Sequence, residues 1–148
     1  QRQMCIRDRL KVDRIQLGIV LDHIQAGKGF LIFQELGLSS RKEPTALLMN
    51  VPSAKLGRKD MIKISGVLDL DLTKLGLLDP GITVNYIEGG QVIRKVKPGL
   101  PERVVGLIKC KNPRCITSTE PYQDPIFTLV DKENKEYQCH FCGERVRV

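Results

Sequence analysis

Tryptophan is absent from the sequence, and aromatic residues make up only 5% of its 148 residues. Proteins that bind single-stranded nucleic acid usually stack bases on aromatic side chains placed between basic residues. The three tyrosines and four phenylalanines are scattered along the chain and form no such pattern. The scarcity of aromatic residues therefore disfavours a single-strand binder and predicts an aliphatic core.

Catalytic motifs are also missing. The chain has only two histidines, and it has no Ser/His/Asp order and no glycine-rich loop of the GxGxxG or Walker A type. No candidate nucleophile stands beside a candidate general base. We therefore expect a chain without catalytic residues, which is not itself an enzyme.

Long hydrophobic runs are absent as well. No apolar run approaches the roughly 18–20 residues needed to cross a bilayer, and the first residues lack the apolar stretch of a secretory signal. These absences predict a soluble, cytoplasmic protein with no membrane partner. Hydrophobic residues (41%) and charged residues (28%) are balanced as in globular proteins, and the length suits one ordinary domain or two small ones.

The net charge of +7 is unevenly distributed, because +4 lies in residues 10–100 and only +1 in residues 101–148. A modest basic excess suits nucleic acid and a small polyphosphate ligand equally well. The location of the excess points to the middle of the chain as the part that binds an anion.

The periodicity of apolar residues becomes regular only from residue 10. Residues 1–9 show no period, and we interpret them as a disordered or non-native extension. Residues 10–97 predict the order β-α-β-β-α-β followed by one hairpin strand, with the hairpin turn at Gly89-Gly90 and a helix N-cap at Asp71. This order predicts an α+β fold with a ferredoxin-like antiparallel sheet and two helices. The predicted strands are 14–24, 45–51, 59–67, 82–88 and 91–97, and the predicted helices are 26–37 and 71–78.

Residues 98–101, Pro-Gly-Leu-Pro, predict a stiff linker to a second, small β-rich domain over residues 102–148. This domain contains two close cysteine pairs, which are separated by 23 residues. Four thiolates on two turns form the tetrahedral cage that a structural Zn²⁺ ion prefers, so we expect one zinc ion per chain. Iron in the same cage and two disulfides are the alternatives. The predicted ligands are Cys110, Cys115, Cys139 and Cys142.

Two further properties of the second domain follow from its cysteines. His140 is interpreted as a surface residue, because four cysteines already complete the ligand set. Four thiolates and one Zn²⁺ carry a charge of −2, which changes the charge of the metal-loaded domain from +1 to −1. A domain of that charge is not expected to clamp DNA.

Charged residues of the first domain recur near predicted strand ends. Asp22 and His23 end the first predicted strand, and Lys59 and Lys63 point to the same face of the third, because side chains alternate along a strand. Lys95 lies on the last strand with two further basic residues. Lysines bind phosphates as point charges. Spacing alone leaves two interpretations open, a solvated basic sheet face and a nucleotide-binding pocket.

Taken together, several segments resemble the regulatory chain of aspartate carbamoyltransferase over residues 10–147. The resemblance depends on the spacing of the four cysteines and on four segments. These are VLDHI, NVPSAKLGRKDMIKI, ITVNYI and VKPGLPERV, which begin at residues 20, 50, 82 and 96. The resemblance implies a non-catalytic allosteric subunit in de novo pyrimidine biosynthesis. Its first domain would bind CTP, ATP and, together with CTP, UTP. Its zinc domain would dock on the catalytic chain, and two regulatory chains would pair as a homodimer.

The resemblance also implies roles for individual residues of the nucleotide site. Asp22 and His23 match the base and ribose side, and Lys63 and Lys95 match contacts to the phosphates and ribose. Lys59 matches a further phosphate contact. The walls around the base are matched by Val12, Asp13 and Ile15 on one side and by Asn85, Ile87 and Val92 on the other.

The resemblance extends to the second domain, where Asn112 and Arg114 match the interface with the catalytic chain. Two departures stand out: Arg114 replaces a common asparagine, and Gly89-Gly90 replaces a tyrosine of enteric members. The glycines predict that one wall of the base pocket is open. Two other functions remain as alternatives, a zinc-ribbon nucleic-acid-binding protein, which a pI near 9.3 favours, and a stand-alone ferredoxin-like sensor of small molecules.

Overall fold

A computed structural model describes residues 12–120 and 122–148, so the predicted extension 1–9 lies outside the described residues. Nine strands and three short α-helices make up this part of the chain, with a 3₁₀ turn at Leu38–Ser40. No helix in it is long and apolar enough to cross a membrane. The strands are β1 Leu17–Gln25, β2 Thr45–Ser53, β3 Gly57–Ser65, β4 Thr83–Glu88, β5 Gln91–Val96, β6 Arg103–Val105, β7 Ile126–Asp131, β8 Glu136–Cys139 and β9 Arg145–Arg147. The helices are α1 Gly29–Glu35, α2 Leu72–Leu78 and α3 Ile116–Thr119.

The first five strands form one antiparallel sheet in the order β2-β3-β1-β4-β5. The first four strands have the spatial order of a ferredoxin-like sheet, and β5 extends it beyond β4 by a hairpin. Gly89 and Gly90 both have positive φ angles, +62° and +76°, as a two-residue hairpin turn requires. The predicted α+β, ferredoxin-like class is therefore confirmed.

The two faces of this sheet differ in composition. Ile19 and Leu21 on β1 alternate with Val20, and Ile62 and Ile64 on β3 alternate with less buried residues. These isoleucines and Leu21 are almost completely inaccessible to solvent and form the core face. Helix α1 packs on β2 and β3. The opposite face therefore carries the partly exposed, polar side chains.

The predicted boundaries need small corrections at the first strand and the first helix. Strand β1 begins at Leu17 rather than at residue 14, and α1 begins at Gly29 rather than at residue 26. Gly27 has a φ of +99°, which places the preceding residues in a turn rather than a helix. The helix ends at Glu35, two residues before the predicted end, and the predicted stop at Gly37 has a left-handed conformation with a φ of +64°.

Asp60 on β3 is a fully buried carboxylate that connects three segments of the first sheet. Its Oδ2 accepts hydrogen bonds from the backbone N–H groups of Gly27 (3.1 Å) and Gly29 (2.9 Å), and its Oδ1 accepts one from Asn50 N–H (2.9 Å). A Cβ atom at Gly29 would lie 2.7 Å from Asp60 Oδ2, so only glycine permits this approach. Asp60 therefore holds the start of α1 and an irregular point of β2 against β3.

The chain divides into two compact units, and α2 belongs to the second one. The first unit comprises the described residues up to Leu70 and residues Thr83–Val96, and the second comprises Asp71–Ile82 and Lys97–Val148. Strands β6 to β9 form an antiparallel sheet in sequential order within the second unit. Helix α2 is capped as predicted, because the Asp71 carboxylate accepts a hydrogen bond from Lys74 N–H.

The core of the second unit combines a small hydrophobic cluster with three buried cysteines. Tyr137 and Phe127 are its largest fully buried side chains, and Leu77 of α2 and Leu100 pack against the cluster. The Tyr137 hydroxyl donates a 2.6 Å hydrogen bond to the carbonyl oxygen of Pro101. Burial raises the pKa of this hydroxyl, which keeps it protonated as the donor. The linker residues are thus fixed to the core of this unit.

Helix α2 also lies very close to the linker segment. A Cβ atom on Gly76 would be 2.0 Å from the carbonyl oxygen of Gly99, a distance that no side chain could accept. Glycine at position 76 therefore lets the helix backbone and the linker backbone pack directly against each other.

Substitution of Asp60 tests the role of its buried carboxylate. Asp60→Ala leaves three backbone N–H groups without their acceptor and should lower the free energy of unfolding by on the order of 3 kcal/mol. Asp60→Asn keeps one oxygen but turns an NH₂ group toward a donor, so an intermediate loss is expected. Denaturant unfolding monitored by circular dichroism measures both. The exposed loop variant Asp69→Ala should change stability by less than about 0.5 kcal/mol, and equal losses at the two positions would refute this role.

Candidate functional sites

The four predicted metal ligands meet in the second unit. Their sulfur atoms all lie within 4.8 Å of one another. Cys110 Sγ is 3.6 Å from Cys142 Sγ, and Cys115 Sγ is 3.7 Å from Cys139 Sγ. A tetrahedral site with metal–sulfur bonds of ~2.3 Å has edges of about 3.8 Å. The sulfur positions therefore fit a single tetrahedrally coordinated metal ion.

The separations of the sulfur atoms exclude one of the sequence-based alternatives. A disulfide requires sulfur atoms about 2.05 Å apart, whereas all four of these cysteines are free. Zinc and iron have similar bond lengths to thiolates, so the geometry alone favours neither metal.

Local turns place the cysteine pairs. In the first turn, Asn112 Oδ1 accepts a hydrogen bond from Arg114 N–H (3.0 Å), and the Asn112 carbonyl oxygen accepts one from Cys115 N–H (3.1 Å). In the second turn, Gly143 N–H donates to the carbonyl oxygen of Cys139, and Gly143 has a φ of +79°. Both turns fold back so that two thiols project to the same side.

The ionisation of the cysteines explains why a cation would stabilise this arrangement. Burial raises the pKa of the Cys110 thiol to about 12 and also raises the pKa of Cys139. A hydrogen bond from the Thr117 hydroxyl, 3.2 Å away, lowers the pKa of the Cys115 thiol to about 7. Four thiolates so close together need a positive charge to remain ionised. The donor set therefore fits a divalent, thiophilic metal ion.

His140 is exposed, in accordance with its interpretation as a surface residue. Its ring makes an edge-to-face contact with Phe141, with ring centroids 5.3 Å apart. It is not part of the four-cysteine group within the described residues. Cys142 is the exposed member of that group, and the other three cysteines are buried.

The predicted nucleotide-binding residues of the first unit lie largely on the polar face of the sheet. Lys63 on β3 and Asn85 on β4 are both directly opposite Val20 on β1, and Lys95 on β5 is directly opposite Asn85. Directly opposite residues of neighbouring strands point to the same face. Lys63, Asn85 and Lys95 therefore form one row across the sheet, on the face opposite the aliphatic core.

A β-bulge in β5 is needed to place Val92 on the same face as Lys95. Ile87 is opposite Val92 and Tyr86 is opposite Arg94, so Ile93 is the extra residue. Without the bulge, residues 92 and 95 would point to opposite faces. Strict alternation along the sequence does not reveal this, which is why the spacing argument could not place Val92.

A cavity of about 260 Å³ lies on this face of the sheet. Five of the predicted residues line this cavity, namely Ile15, Lys63, Asn85, Ile87 and Val92. A second cavity of about 630 Å³ is lined by residues 12–17 and by Lys63 among others. The predicted Val12 and Asp13 line only this second cavity.

Asp22, His23 and Lys59 form a separate group near one end of β1. Lys59 Nζ lies 2.9 Å from Asp22 Oδ1, and this oxygen also accepts a 2.6 Å hydrogen bond from His23 N–H. Partial burial raises the pKa of Asp22, but the hydrogen bonds and charge of Lys59, with His23, outweigh it and lower this pKa below its usual value. The carboxylate is therefore ionised at neutral pH and already paired with Lys59.

A bulge in β1 produces the geometry of this group. The register between β1 and β3 shifts after Leu21, and His23 has a positive φ of +57°, which is uncommon for a residue other than glycine. The His23 ring places Nδ1 3.2 Å from the hydroxyl oxygen of the buried Thr83. The strained backbone at His23 is thus fixed by a neighbour on β4.

Sequence reasoning missed several residues of the smaller cavity. Val20, Met61 and Gly90 line it together with Arg14. Met61 could have been found, because it lies between Lys59 and Lys63 at the two-residue period of a strand. Gly90 lines the cavity without a side chain, so the turn contributes no aromatic wall. Arg14 precedes β1, although the sequence places it at the start of the predicted strand 14–24.

The predicted interface residues lie in the first cysteine turn. The Asn112 side chain is used in the turn itself through its bond to Arg114 N–H, whereas the Arg114 side chain is exposed. Their predicted contact with a catalytic chain stays a prediction.

Two family profiles together match nearly the whole chain. Residues 10–99 match the profile of the allosteric domain of the aspartate carbamoyltransferase regulatory chain, and residues 102–148 match the profile of its metal-binding domain. The chain is 50% identical over 135 residues to the aspartate carbamoyltransferase regulatory chain of Clostridium botulinum, covering 91% of this chain and 92% of the relative. It is equally similar, with the same coverage, to that of Clostridium acetobutylicum. That of Bifidobacterium longum is 40% identical over 139 residues, which are 94% of this chain and all of the relative.

Removal of metal from the purified protein tests the four-cysteine site. The small core of the second unit includes three of the cysteines, so a strong chelator should loosen it and expose Tyr137 and Phe127. We expect the metal-free protein to show an additional unfolding transition at lower temperature, which corresponds to the second unit. Restoring the metal should return the unfolding profile of the untreated protein. Scanning calorimetry with elemental analysis measures both effects. An unchanged thermogram in verified metal-free protein would contradict a structural role of the metal.

Proposed function

We propose, because the chain belongs to the aspartate carbamoyltransferase regulatory-chain family, that its first unit binds CTP and ATP and its second unit holds zinc and docks on the catalytic chain. The chain is a regulatory chain, and the named relatives are regulatory chains of the same transferase. The effectors, the metal and the mode of assembly are the parts that we propose.

The observation that carries the nucleotide proposal is the row formed by Lys63, Asn85 and Lys95. It places two ammonium groups on either side of an amide, on a face that also contains a cavity of about 260 Å³. Neither lysine has an ion-pair partner among residues 12–120 and 122–148. Unpaired cations on both sides of a hydrogen-bonding amide suit a ligand with a polar base and an anionic phosphate chain.

The residues of the smaller cavity suggest how the two parts of the ligand are divided. Ile15, Ile87 and Val92 offer apolar surface to the flat faces of a base, and the Asn85 amide can both donate and accept hydrogen bonds at its edge. Lys63 and Lys95 would bind phosphate or ribose oxygens. This division makes binding depend on both the base and the phosphates.

The paired Asp22 and Lys59 would act differently from the free lysines. Asp22 is ionised and accepts hydrogen bonds, so a ribose hydroxyl or a base amino group could donate to it. Lys59 is held by Asp22 at 2.9 Å, so it would give a phosphate only part of its charge. His23, beside them, would contribute to the base and ribose side.

Regulation through this site requires a difference in affinity between two states of the complex. A nucleotide shifts the equilibrium only as far as it binds one state better than the other. CTP and ATP compete for one site in this proposal, with UTP acting together with CTP. Any difference between the effects of CTP and ATP would then come from how each base fills the space beside Gly90, which contributes no side chain to the cavity.

The proposed role of the metal is structural. Four protein thiolates occupy every position of a tetrahedral site, which leaves none for a substrate. We propose one zinc ion per chain, with iron as the alternative that metal analysis would reveal. The ion would hold together the two turns on which the docking residues Asn112 and Arg114 lie.

In the proposed assembly, two chains pair as a homodimer, and the second unit of each contacts a catalytic chain. The complex would work in the cytoplasm in de novo pyrimidine biosynthesis. Exposed Arg114 offers a charged group to an acidic or polar partner surface.

A zinc-ribbon nucleic-acid-binding protein is not favoured. Of the net charge of +7, only +1 belongs to residues 101–148, and a metal–thiolate cluster would reverse that sign. Strong binding to nucleic acid needs many uncompensated cations along one surface.

Substitution of Lys95 tests the nucleotide site. Lys95→Ala removes one charge-assisted contact, and we expect about tenfold weaker binding of CTP to the metal-loaded chain in calorimetric titration, with ATP as a competitor. Assembly with the catalytic chain should be unaffected. Lys55→Ala, which removes the same charge from the exposed turn between β2 and β3, serves as the matched control. Equal weakening of CTP binding by Lys95→Ala and Lys55→Ala would indicate a general effect of charge and would contradict a direct contact of Lys95 with the nucleotide.

Substitution of Cys115 tests the link between metal and docking. Cys115→Ser removes a buried ligand, so the variant should lose its metal and should not co-elute with the catalytic chain in size-exclusion chromatography. Binding of CTP to the first unit should persist. Cys5→Ser is the control, since it makes the same chemical change outside the four-cysteine group. Co-elution of Cys115→Ser with the catalytic chain would show that docking does not need the metal site.

A further inference from the structure

Arg14 is a cation of the nucleotide-site face that neither the spacing argument nor the family resemblance assigned. It lines the cavity of 260 Å³ together with Lys63, and the same two residues also line the larger neighbouring cavity. They are the two basic residues of the smaller cavity, whose lining contains no acidic residue. An anionic ligand in that cavity would therefore meet two positive charges.

The segment that carries Arg14 is fixed in place against the sheet. Gly90 N–H donates a 3.0 Å hydrogen bond to the carbonyl oxygen of Gln16, and Gly66 N–H donates a 2.9 Å bond to that of Leu17. Ile15, beside Arg14, lines both cavities. The guanidinium is therefore presented from a backbone that is tied on one side to the β4–β5 turn and on the other to the end of β3.

Glycine in the β4–β5 turn lets the segment that carries Arg14 approach this turn closely. Gly90 lines the cavity and bears no side chain, and a Cβ atom there would already lie 3.1 Å from the side-chain oxygen of Gln16. Arginine differs from lysine because its planar group can bind two phosphate oxygens at once.

We propose that Arg14 is a specificity-determining residue that binds the phosphate chain of the effector together with Lys63, the other basic residue of the same cavity. This inference rests on the proposed function of the same site and adds to it a contact of defined chemistry. Because Arg14 and Lys63 both border the cavity, Arg14 should favour triphosphates over ligands that carry no charge.

The test compares ligands that share a base and differ in charge. CTP, cytidine and inorganic tripolyphosphate are titrated calorimetrically into the full metal-loaded chain and into its Arg14→Ala and Arg14→Lys variants. We expect Arg14→Ala to weaken CTP about tenfold at low salt, which is about 1.4 kcal/mol, and to change cytidine less than about twofold. Arg14→Lys keeps the charge but loses the bidentate geometry, so its affinity for CTP should lie between those of the wild-type chain and Arg14→Ala.

The matched control is Arg94→Gln, which removes one positive charge from the opposite face of the sheet. Arg94 lies over the Tyr86 ring, 5.4 Å from its centroid, and is not part of either cavity lining. It should change CTP affinity less than about twofold. Melting curves of all variants confirm that the fold is intact. Equal weakening by the two arginine variants would reduce the effect to long-range electrostatics and overturn the proposal.

The remaining outcomes separate this inference from the proposed function. Equal losses of CTP and cytidine in Arg14→Ala would mean that Arg14 shapes the base pocket, and an unchanged CTP affinity would remove it from the site; both overturn the proposal. If the wild-type chain binds tripolyphosphate through Arg14 but does not bind CTP or ATP, the proposed nucleotide function fails and the phosphate contact stands. If it binds none of these probes, both fail.

Discussion

The register of β1 against its two neighbours determines where the candidate site forms. Val20 pairs with Lys63 on one side and with Asn85 on the other, so a shift of one residue in either pairing would turn a site residue into the aliphatic core. The buried Asp60 carboxylate, with its three backbone N–H donors, fixes the elements that flank this register. A slip of β3 would therefore break these three buried hydrogen bonds as well as the strand pairing that aligns the polar row.

The order of elements could be predicted from periodicity because each strand and helix of the first sheet has a clear apolar pattern. The turn at Gly89-Gly90 and the cap at Asp71 were predictable for the same local reason, since glycine permits positive φ angles and aspartate accepts hydrogen bonds from N–H groups. The four cysteines were predictable as a cluster because their spacing is itself the signal, although it does not specify the metal.

Non-local geometry could not be predicted from the sequence. The bulge at Ile93 changes which face Val92 occupies, and the bulge before Ile24 brings Asp22 to Lys59. Both depend on the pairing of strands that are distant in sequence. No sequence pattern distinguishes the buried Asp60 from an exposed aspartate. Its carboxylate oxygens accept hydrogen bonds from the backbone of two other segments, and the sequence does not show that these segments are close. Arg14 was not identified because the sequence places it at the start of the predicted strand 14–24, whereas in the structure it precedes β1 and lines the cavity.

The packing of α2 has a consequence for how this chain can be divided. The unit that carries the four cysteines is discontinuous in sequence, since it includes Asp71–Ile82 as well as Lys97–Val148. Leu77 of α2 packs on its core, and Gly76 approaches Gly99 too closely for any side chain. A fragment cut at residue 98 or 102 would expose the surface that α2 covers, and a chimaera joined there would pair that surface with a foreign helix. Residues 98–101 thus separate two regions of the sequence but do not separate two packing units. An exchange of the second unit must include both Asp71–Ile82 and Lys97–Val148.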